Sequence, residues 1–232
     1  GHSGDVDLVA EAIRLTRTLT SMIDSAEMDG LLALMLLHHA RRDARFGPDG
    51  RRVALADQDR TRWDRKLIAE GIEILQAALA RDELGQFQAQ AAIAALHADA
   101  QNVEDTDWVQ IVQWYDELLS LRDTPIVRLN RAVAVGEADG PAAGLTELRG
   151  LDESLPRYFA VEAHLRERAG ESQRAAELYA RAAERAGSLA ERDHLNRQAA
   201  RTTIEGSTQL TNPCQRSRHR GPFPMPKEAE PV

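Results

Sequence analysis

Apolar side chains recur along most of the chain at the three- and four-residue spacing of an amphipathic helix. The first predicted helix covers residues 6–23, and the second begins near Ser25 and includes the apolar run at 31–37. One face of the first helix is expected to pack on the second helix, and it consists of Leu8, Ala12, Leu15 and Leu19. The chain therefore opens with a predicted helix pair.

Eight further apolar stripes predict eight more helices, which gives about ten in all. They cover approximately residues 61–80, 87–100, 107–121, 125–135, 141–148, 155–169, 172–186 and 188–200. Thr61 and Thr106 are the expected N-caps of the third and fifth helices, because a threonine side chain can accept a hydrogen bond from the first turn. Gly71 lies inside the third helix and predicts a close approach by another helix there.

The connection between the second and third helices contains a strong turn signal at residues 47–50, Gly-Pro-Asp-Gly. Val53 and Leu55 alternate with smaller or polar residues after this turn, and residues 44–46 precede it. Two short runs around a tight turn are typical of a hairpin. We therefore predict a small β-hairpin between residues 44 and 55.

The helices predicted at 155–169 and 172–186 have large and small residues at spacings that resemble a tetratricopeptide repeat. These residues are Phe159, Ala163, Gly170, Ala175, Tyr179 and Ala182. Residues 124–148 resemble a second copy with weaker spacing, and Glu162 and Arg166 depart from the repeat pattern. The predicted fold is an all-α, tetratricopeptide-like helical solenoid of about ten helices with a small β-hairpin insertion.

The predicted helical repeat domain covers residues 5–200, with the first helix pair and hairpin at 5–60 and stacked helix pairs at 61–200. Helical periodicity is lost after residue 200, and residues 201–232 include five prolines. This last stretch has no continuous apolar face with which to offset the entropy of ordering. It is therefore predicted to be a disordered tail.

The charge of the chain limits its partners, since 37 acidic and 29 basic residues give a formal net charge of −8. Autonomous DNA binding by this chain is not expected, because it normally requires a clustered basic face. A single cysteine, Cys214, is compatible with a reducing compartment. The apolar run at 31–37 is too short to span a membrane, so we expect a cytoplasmic protein.

The histidines do not form a metal site in the sequence pattern. His38 and His39 are adjacent, so on a helix their side chains point about 100° apart and cannot readily bind one ion. His97 lies in an alanine-rich helix and is expected to be a partly buried, hydrogen-bonded residue. No metal ligand, cofactor-binding residue or catalytic residue is predicted from these positions.

Three aspartates, Asp57, Asp59 and Asp64, are close enough in sequence to suggest paired carboxylates. They alternate with arginines such as Arg60, so charge pairing that fixes the connection is the simpler interpretation. The chain has no phosphate-binding loop, nucleophile elbow or zinc motif. We therefore expect a protein without enzymatic activity.

Several strings resemble the C-terminal extension of one group of bacterial extracytoplasmic-function sigma factors. They are LALMLLHHARRDAR at 32–45, DQDRTRWDRKLIAEG at 57–71, EAIRL at 11–15, AAIAALHADA at 91–100, TDW at 106–108 and LNRAVAVGEADGPAAGL at 129–145. The resemblance covers roughly residues 8–200. Within these strings, the candidate structural or interaction residues are His38, His39, Arg41, Arg42, Asp57, Gln58, Asp59, Arg60, Trp63, Asp64, His97, Asp107, Trp108, Asn130 and Arg131.

The resemblance implies a regulatory protein-interaction domain that follows the two DNA- and polymerase-binding sigma domains. It also implies contacts with those sigma domains, with core RNA polymerase or with another regulator, and through them an effect on transcription initiation. No cofactor and no membrane contact are implied. The alternative is a free-standing helical-repeat scaffold that binds a peptide or protein partner.

Overall fold

The computed structural model describes residues 8–211, with side chains to residue 204, and over this range it is all-helical and contains no β-strand. Its ten α-helices are α1 (Leu8–Met22), α2 (Ala26–His39), α3 (Arg65–Leu79), α4 (Gln86–Asp99), α5 (Trp108–Leu121), α6 (Pro125–Ala138), α7 (Pro141–Glu147), α8 (Tyr158–Arg168), α9 (Ser172–Glu184) and α10 (Leu189–Thr211). The predicted all-α class is confirmed. None of the helices in this range has the length and apolarity required to cross a membrane.

The predicted N-caps Thr61 and Thr106 are wrong, because an aspartate caps each helix instead. It lies three residues after Thr61 and one residue after Thr106. The Asp64 carboxylate accepts hydrogen bonds from the first-turn N–H groups of α3, at 3.0 and 3.1 Å. Asp107 caps α5 in the same way, at 2.9 Å from the Gln110 N–H. The Thr61 hydroxyl is already used, since it donates to Asp59 within a short 3₁₀ turn. A carboxylate also interacts more favourably than a hydroxyl with the positive end of the helix dipole.

The predicted β-hairpin between residues 44 and 55 is not present. A single antiparallel bridge joins Phe46 and Arg52, and 3₁₀ turns occupy Arg42–Ala44 and Leu55–Asp57 on either side of it. The Gly-Pro-Asp-Gly turn forms as expected, but two limbs of two or three residues provide too few ladder hydrogen bonds to hold strands. Residues 40–64 are instead a loop, here called the connecting segment, whose ends meet where the Asp64 N–H donates to the Ala40 carbonyl at 2.9 Å.

Helix α1 packs on α2 through a different face from the one predicted. Its buried residues are Ile13 and Thr16, whereas Leu8, Leu15 and Leu19 are 77%, 50% and 43% exposed. Thr16 can enter the contact because its hydroxyl is satisfied by the Ala12 carbonyl at 2.9 Å. The stripe of leucines therefore lies beside the α1–α2 contact and faces outward.

The main contacts between helices join neighbours and next neighbours along the chain, such as α2 with both α3 and α4. Small residues permit these approaches. A side chain at Gly71 would lie 3.3 Å from the Ala33 carbonyl of α2, and one at Gly30 would lie 2.8 Å from the Gln88 backbone nitrogen of α4. The prediction of a close approach at Gly71 is confirmed. Glu27 of α2 also caps α4, because its carboxylate accepts from the Phe87 N–H at 2.9 Å.

The helix pair predicted near the C-terminus is present as α8 and α9. Phe159, Ala163, Ala175, Tyr179 and Ala182 all lie in one buried cluster, which also includes Leu195 of α10. Helix α10 does not end at residue 200, as predicted, but continues to Thr211. Thr202 is fully buried, and its hydroxyl bonds to the Gln198 carbonyl. The rest of the predicted tail, residues 212–232, lies outside the described residues.

Candidate functional site

Two adjoining cavities, of about 480 and 980 Å³, form a cleft between the helices. The smaller lies among α2, α4, α5 and α6, and the larger lies between the connecting segment and helices α8, α9 and α10. His38, Arg41 and Leu55 line both cavities, so they mark the point where the two meet. We call this combined surface the central cleft.

One side of the central cleft is basic, and we call it the near wall. It contains Arg41, Arg45 and Arg52, all of which belong to the connecting segment. The Arg41 guanidinium lies 2.7 Å from Nδ1 of His38, and Arg45 donates to the His38 carbonyl at 2.7 Å. Among the contacts within residues 8–204, none places a carboxylate within 4.0 Å of these three arginines. The near wall therefore holds positive charge without an adjacent negative partner.

Burial and the crowding of positive charge together shift three pKa values. Burial, followed by the charges of Arg41 and Arg45, lowers the pKa of His38 to about 4. Burial, with Arg41 and Arg60 nearby, also lowers the pKa of His97 to about 4. Arg41 itself has a pKa lowered to about 10 by burial and by Arg45 and Arg60. The His38 ring is exposed to the solvent of the cleft but is surrounded by its walls. Because the pKa values of both histidines are far below 7, both are neutral at pH 7 and the arginines provide the charge.

Arg60 and Trp63 form the floor beneath the near wall. Trp63 is 3% exposed and Arg60 is 8% exposed. One nitrogen of the Arg60 guanidinium donates to the carbonyls of His97 and Ala100, both at 2.7 Å, and its carbon lies 4.7 Å from the centre of the Trp63 ring. Arg60 thus attaches the connecting segment to the end of α4. Arg60 and the buried Trp63 are therefore structural residues.

The corner between α4 and α5 is also built from residues that the resemblance singled out. The rings of His97 and Trp108 meet edge to face, with centroids 5.2 Å apart, and Asp107 caps the helix that begins at Trp108. Asn130 lines the smaller cavity of the cleft. Arg131 points elsewhere and forms salt bridges with Asp116 at 2.7 Å and Glu147 at 2.6 Å, which join α5, α6 and α7.

Two of the three aspartates act as caps, and not as the arginine partners that we expected. Asp59 accepts from the Thr61 N–H at 3.0 Å and from its hydroxyl at 2.6 Å, and these bonds lower the pKa of Asp59. Asp64 caps α3. Asp57 lies in the lining of the larger cavity beside Gln58, whose side chain donates to the Val53 carbonyl at 3.3 Å. Of the two adjacent histidines, only His38 lines the cleft. His39 is 9% exposed and contacts Arg42.

The opposite side of the cleft, here called the far wall, was not found from the sequence. Its arginines are paired: Arg157 lies 3.0 Å from Glu191, and Arg201 forms a short salt bridge with Glu167. Glu167 also accepts from the Tyr179 hydroxyl at 2.8 Å, and burial together with this bond raises the pKa of that hydroxyl. These residues come from α8, α9 and α10, and only Tyr179 was singled out in the sequence, as part of the repeat pattern. No local motif could have brought them together.

A second surface consists of exposed apolar residues at the N-terminal end of the described range. Leu8, Leu15, Leu19, Met22 and Ile23 are between 43% and 77% exposed. The first four recur at helical spacing along α1, and Ile23 follows directly. We call this surface the α1 apolar face. It lies on the helix opposite to exposed polar positions such as Arg17 and Ser21.

Comparisons with known proteins found one matching family and one related protein. A family of unknown function, DUF6596, matches residues 2–79, a range that includes α1, α2, the connecting segment and α3. An uncharacterized protein of Rhizobium meliloti is 47% identical over 154 residues, which is 66% of this chain. The chain spans 36% of the length of that relative. No solved structure matches the chain significantly.

Proposed function

We propose that this chain is a protein-interaction module and that its α1 apolar face docks on another folded domain. The observation that carries the proposal is the exposure of five large apolar side chains, four on α1 and Ile23 directly after it. Contiguous apolar surface of this kind typically marks a contact with another macromolecule, because leaving it in water costs free energy. Leu8 and Met22, at the two ends of the face, are 77% and 76% exposed.

The partner that best suits this face comes from the sequence resemblance. We propose that the module regulates transcription initiation as an extension of an extracytoplasmic-function sigma factor. In this proposal the α1 apolar face packs on the sigma domains or on core RNA polymerase. The match of the DUF6596 family to residues 2–79 includes α1, which is consistent with a role for that helix but does not identify its partner.

We also propose that the helices form a tetratricopeptide-like solenoid. Two observations support it: the main contacts run in order along the chain, and helices from α2 to α10 line one continuous cleft, with α5 and α9 contributing beside the even-numbered helices. Stacked helix pairs give such an extended groove. Such a surface suits recognition better than catalysis, and the nearby aspartates Asp59 and Asp64 are already used as caps.

The direct test measures binding of the chain to immobilised bacterial core RNA polymerase, with and without sigma domains. The variant L15E/L19E places two charges in the apolar face and should weaken binding at least about tenfold, since each glutamate must be desolvated in the contact. The matched control is A10E/S21E, which adds the same charge at two exposed positions on the opposite side of α1 and should bind like the wild type.

A second arm uses in vitro transcription with a sigma factor that contains this module and with the same factor lacking residues 8–211. The proposal expects a change in transcript yield, promoter choice or polymerase affinity when the module is absent. Equal values for all three, together with no effect of L15E/L19E on polymerase binding, would contradict it. The free-standing scaffold would then be the better interpretation.

A further inference from the structure

The central cleft has an excess of positive charge in a chain whose net charge is negative. Six arginines and three carboxylates line the larger cavity, whereas the whole chain has a formal net charge of −8. Clefts with walls of low dielectric constant concentrate the field of such charges and attract ions of the opposite sign. The excess is therefore local and lies inside the concave surface.

This positive charge is divided unevenly between the two walls. On the far wall, Arg157 is paired with Glu191 and Arg201 with Glu167. On the near wall, Arg41, Arg45 and Arg52 have no carboxylate partner among the described residues. Burial, followed by repulsion from Arg45 and Arg60, lowers the pKa of Arg41, so the near wall holds charges that an anion would stabilise.

We infer that the near wall of the central cleft binds the carboxylates of an acidic peptide segment that lies extended along the cleft. Arg45 and Arg52 supply guanidinium donors at the rim of the larger cavity, and Arg41 supplies one at the junction of the two cavities. Guanidinium groups bind carboxylates with two parallel hydrogen bonds, which are stronger than bonds between neutral groups.

The remaining lining of the cleft favours a peptide over a nucleic acid. Leu34, Ile93 and Val127 give the smaller cavity an apolar surface next to the basic near wall. An extended peptide alternates its side chains between two sides, so acidic and apolar residues can meet these two surfaces in turn. A nucleic acid would extend past the cleft onto a surface whose net charge is negative and would be repelled there.

This inference goes beyond the proposed docking of α1 and does not depend on it. The α1 apolar face and the central cleft have no residue in common. One surface offers apolar area, and the other offers uncompensated charge. The two can therefore be tested with separate variants of the same chain.

The test titrates the full chain with a labelled twelve-residue peptide of alternating glutamate and leucine, at about 50 mM NaCl and pH 7. The variant R45Q/R52Q should bind it at least about tenfold more weakly, because two charge-assisted hydrogen bonds are lost. The matched control R51Q/R62Q removes two exposed arginines of the same connecting segment that do not line the cleft, and its affinity should stay within about twofold of the wild type.

Three results would overturn the inference: no binding of the peptide, equal binding of the same peptide with glutamine in place of glutamate, or equal losses in R45Q/R52Q and R51Q/R62Q. Tighter binding of a twelve-nucleotide single-stranded RNA that depends on the same arginines would also overturn it, in favour of nucleic acid. If R45Q/R52Q does not fold, the single variant R52Q decides, because Arg52 is exposed and donates no hydrogen bond within the described part of the chain. L15E/L19E should keep its peptide affinity, which separates a failure here from a failure of the α1 proposal.

Discussion

The central cleft and the α1 apolar face differ in how firmly the rest of the fold holds them. The near wall of the cleft packs on Trp63 and Arg60, which are 3% and 8% exposed. Arg60 is hydrogen-bonded to the end of α4. Helix α1 has its main contact with α2 alone and buries only Ile13 and Thr16. The cleft is therefore a preformed site, whereas the α1 face lies on a weakly attached helix.

This difference indicates two kinds of recognition in one chain. A preformed charged site loses little conformational entropy on binding, so its affinity depends mainly on charge and solvent screening. A weakly held apolar helix gains order and loses exposed area when it docks, so its affinity depends on burial. The four predictions below test this contrast, beginning with the largest expected effect.

Trp63→Ala should destabilise the fold by about 3–5 kcal/mol, because it removes a large buried side chain and leaves a cavity. The Trp63 ring contacts the Arg60 guanidinium at 4.7 Å and packs in the core cluster that contains Leu37 and Ile68. Chemical denaturation measures the change in the free energy of unfolding. A loss below about 1 kcal/mol would mean that the floor of the cleft does not depend on this ring.

Acid should destabilise the fold through the histidines near the cleft. His38 and His97 have pKa values of about 4 when folded, below their ordinary value of 6.5. Between these pH values the unfolded chain binds protons that the folded chain does not, so stability falls as the pH falls from 6.5 toward 4 and is fully present above 6.5. Urea denaturation at pH 7 and pH 5 measures the effect, and His97→Gln should reduce it.

The same pH window distinguishes the cleft from α1. Glu11 of α1 has a pKa lowered from 4.5 by its hydrogen bond with Arg14, so it does not titrate between pH 7 and pH 5. A loss of stability over this range therefore reports the cleft histidines and not the charges of α1. If His97→Gln shows the same dependence on pH as the wild type, the cause assigned here is wrong.

Amide hydrogen exchange should be at least about a hundredfold faster in the middle of α1 than in the middle of α4, because local opening exposes little buried area in α1. Helix α4 has seven buried residues, which are Gln88, Ala89, Ala91, Ala92, Ile93, Ala94 and Ala98. Mass spectrometry of peptides from residues 10–20 and 88–98 measures both rates. Equal protection of the two helices would show that α1 is as firmly held as the core.

Parts of this contrast could be predicted from the sequence, and the reasons for the other parts are physical. Periodicity located the helices, and turn residues located the connection at 47–50. Periodicity also identified the apolar stripe of Leu8, Leu15 and Leu19, but not its direction, because Ile13 and the satisfied Thr16 provide a competing face. The expected hairpin failed because its limbs are too short for a ladder.

The candidate site was predicted in part. His38 and Arg41 line the cleft, and Arg60, Trp63 and Asp64 proved to be structural residues around it. The resemblance located these residues but could not separate those that line the cleft from those that support it. The far wall, with Glu167 and Tyr179, depends on how close α8, α9 and α10 come to the connecting segment, which ends at residue 64, long before α8 begins at Tyr158. Such proximity arises only from the packing of the whole chain.

The smallest expected effect is that of Leu15→Ala, which should change the free energy of unfolding by less than about 0.5 kcal/mol, because exposed side chains contribute little to the stability of the fold. Leu15 is 50% exposed, whereas Ile13, two residues earlier on the same helix, is 6% exposed. Ile13→Ala is therefore the matched comparison, and it should cost about 2–5 kcal/mol. If Leu15→Ala destabilises the isolated chain as much as Ile13→Ala does, the leucine stripe packs within this chain and is not an interface. If it has little effect on stability but weakens binding to core RNA polymerase, the α1 apolar face serves recognition, in contrast to the buried floor of the cleft.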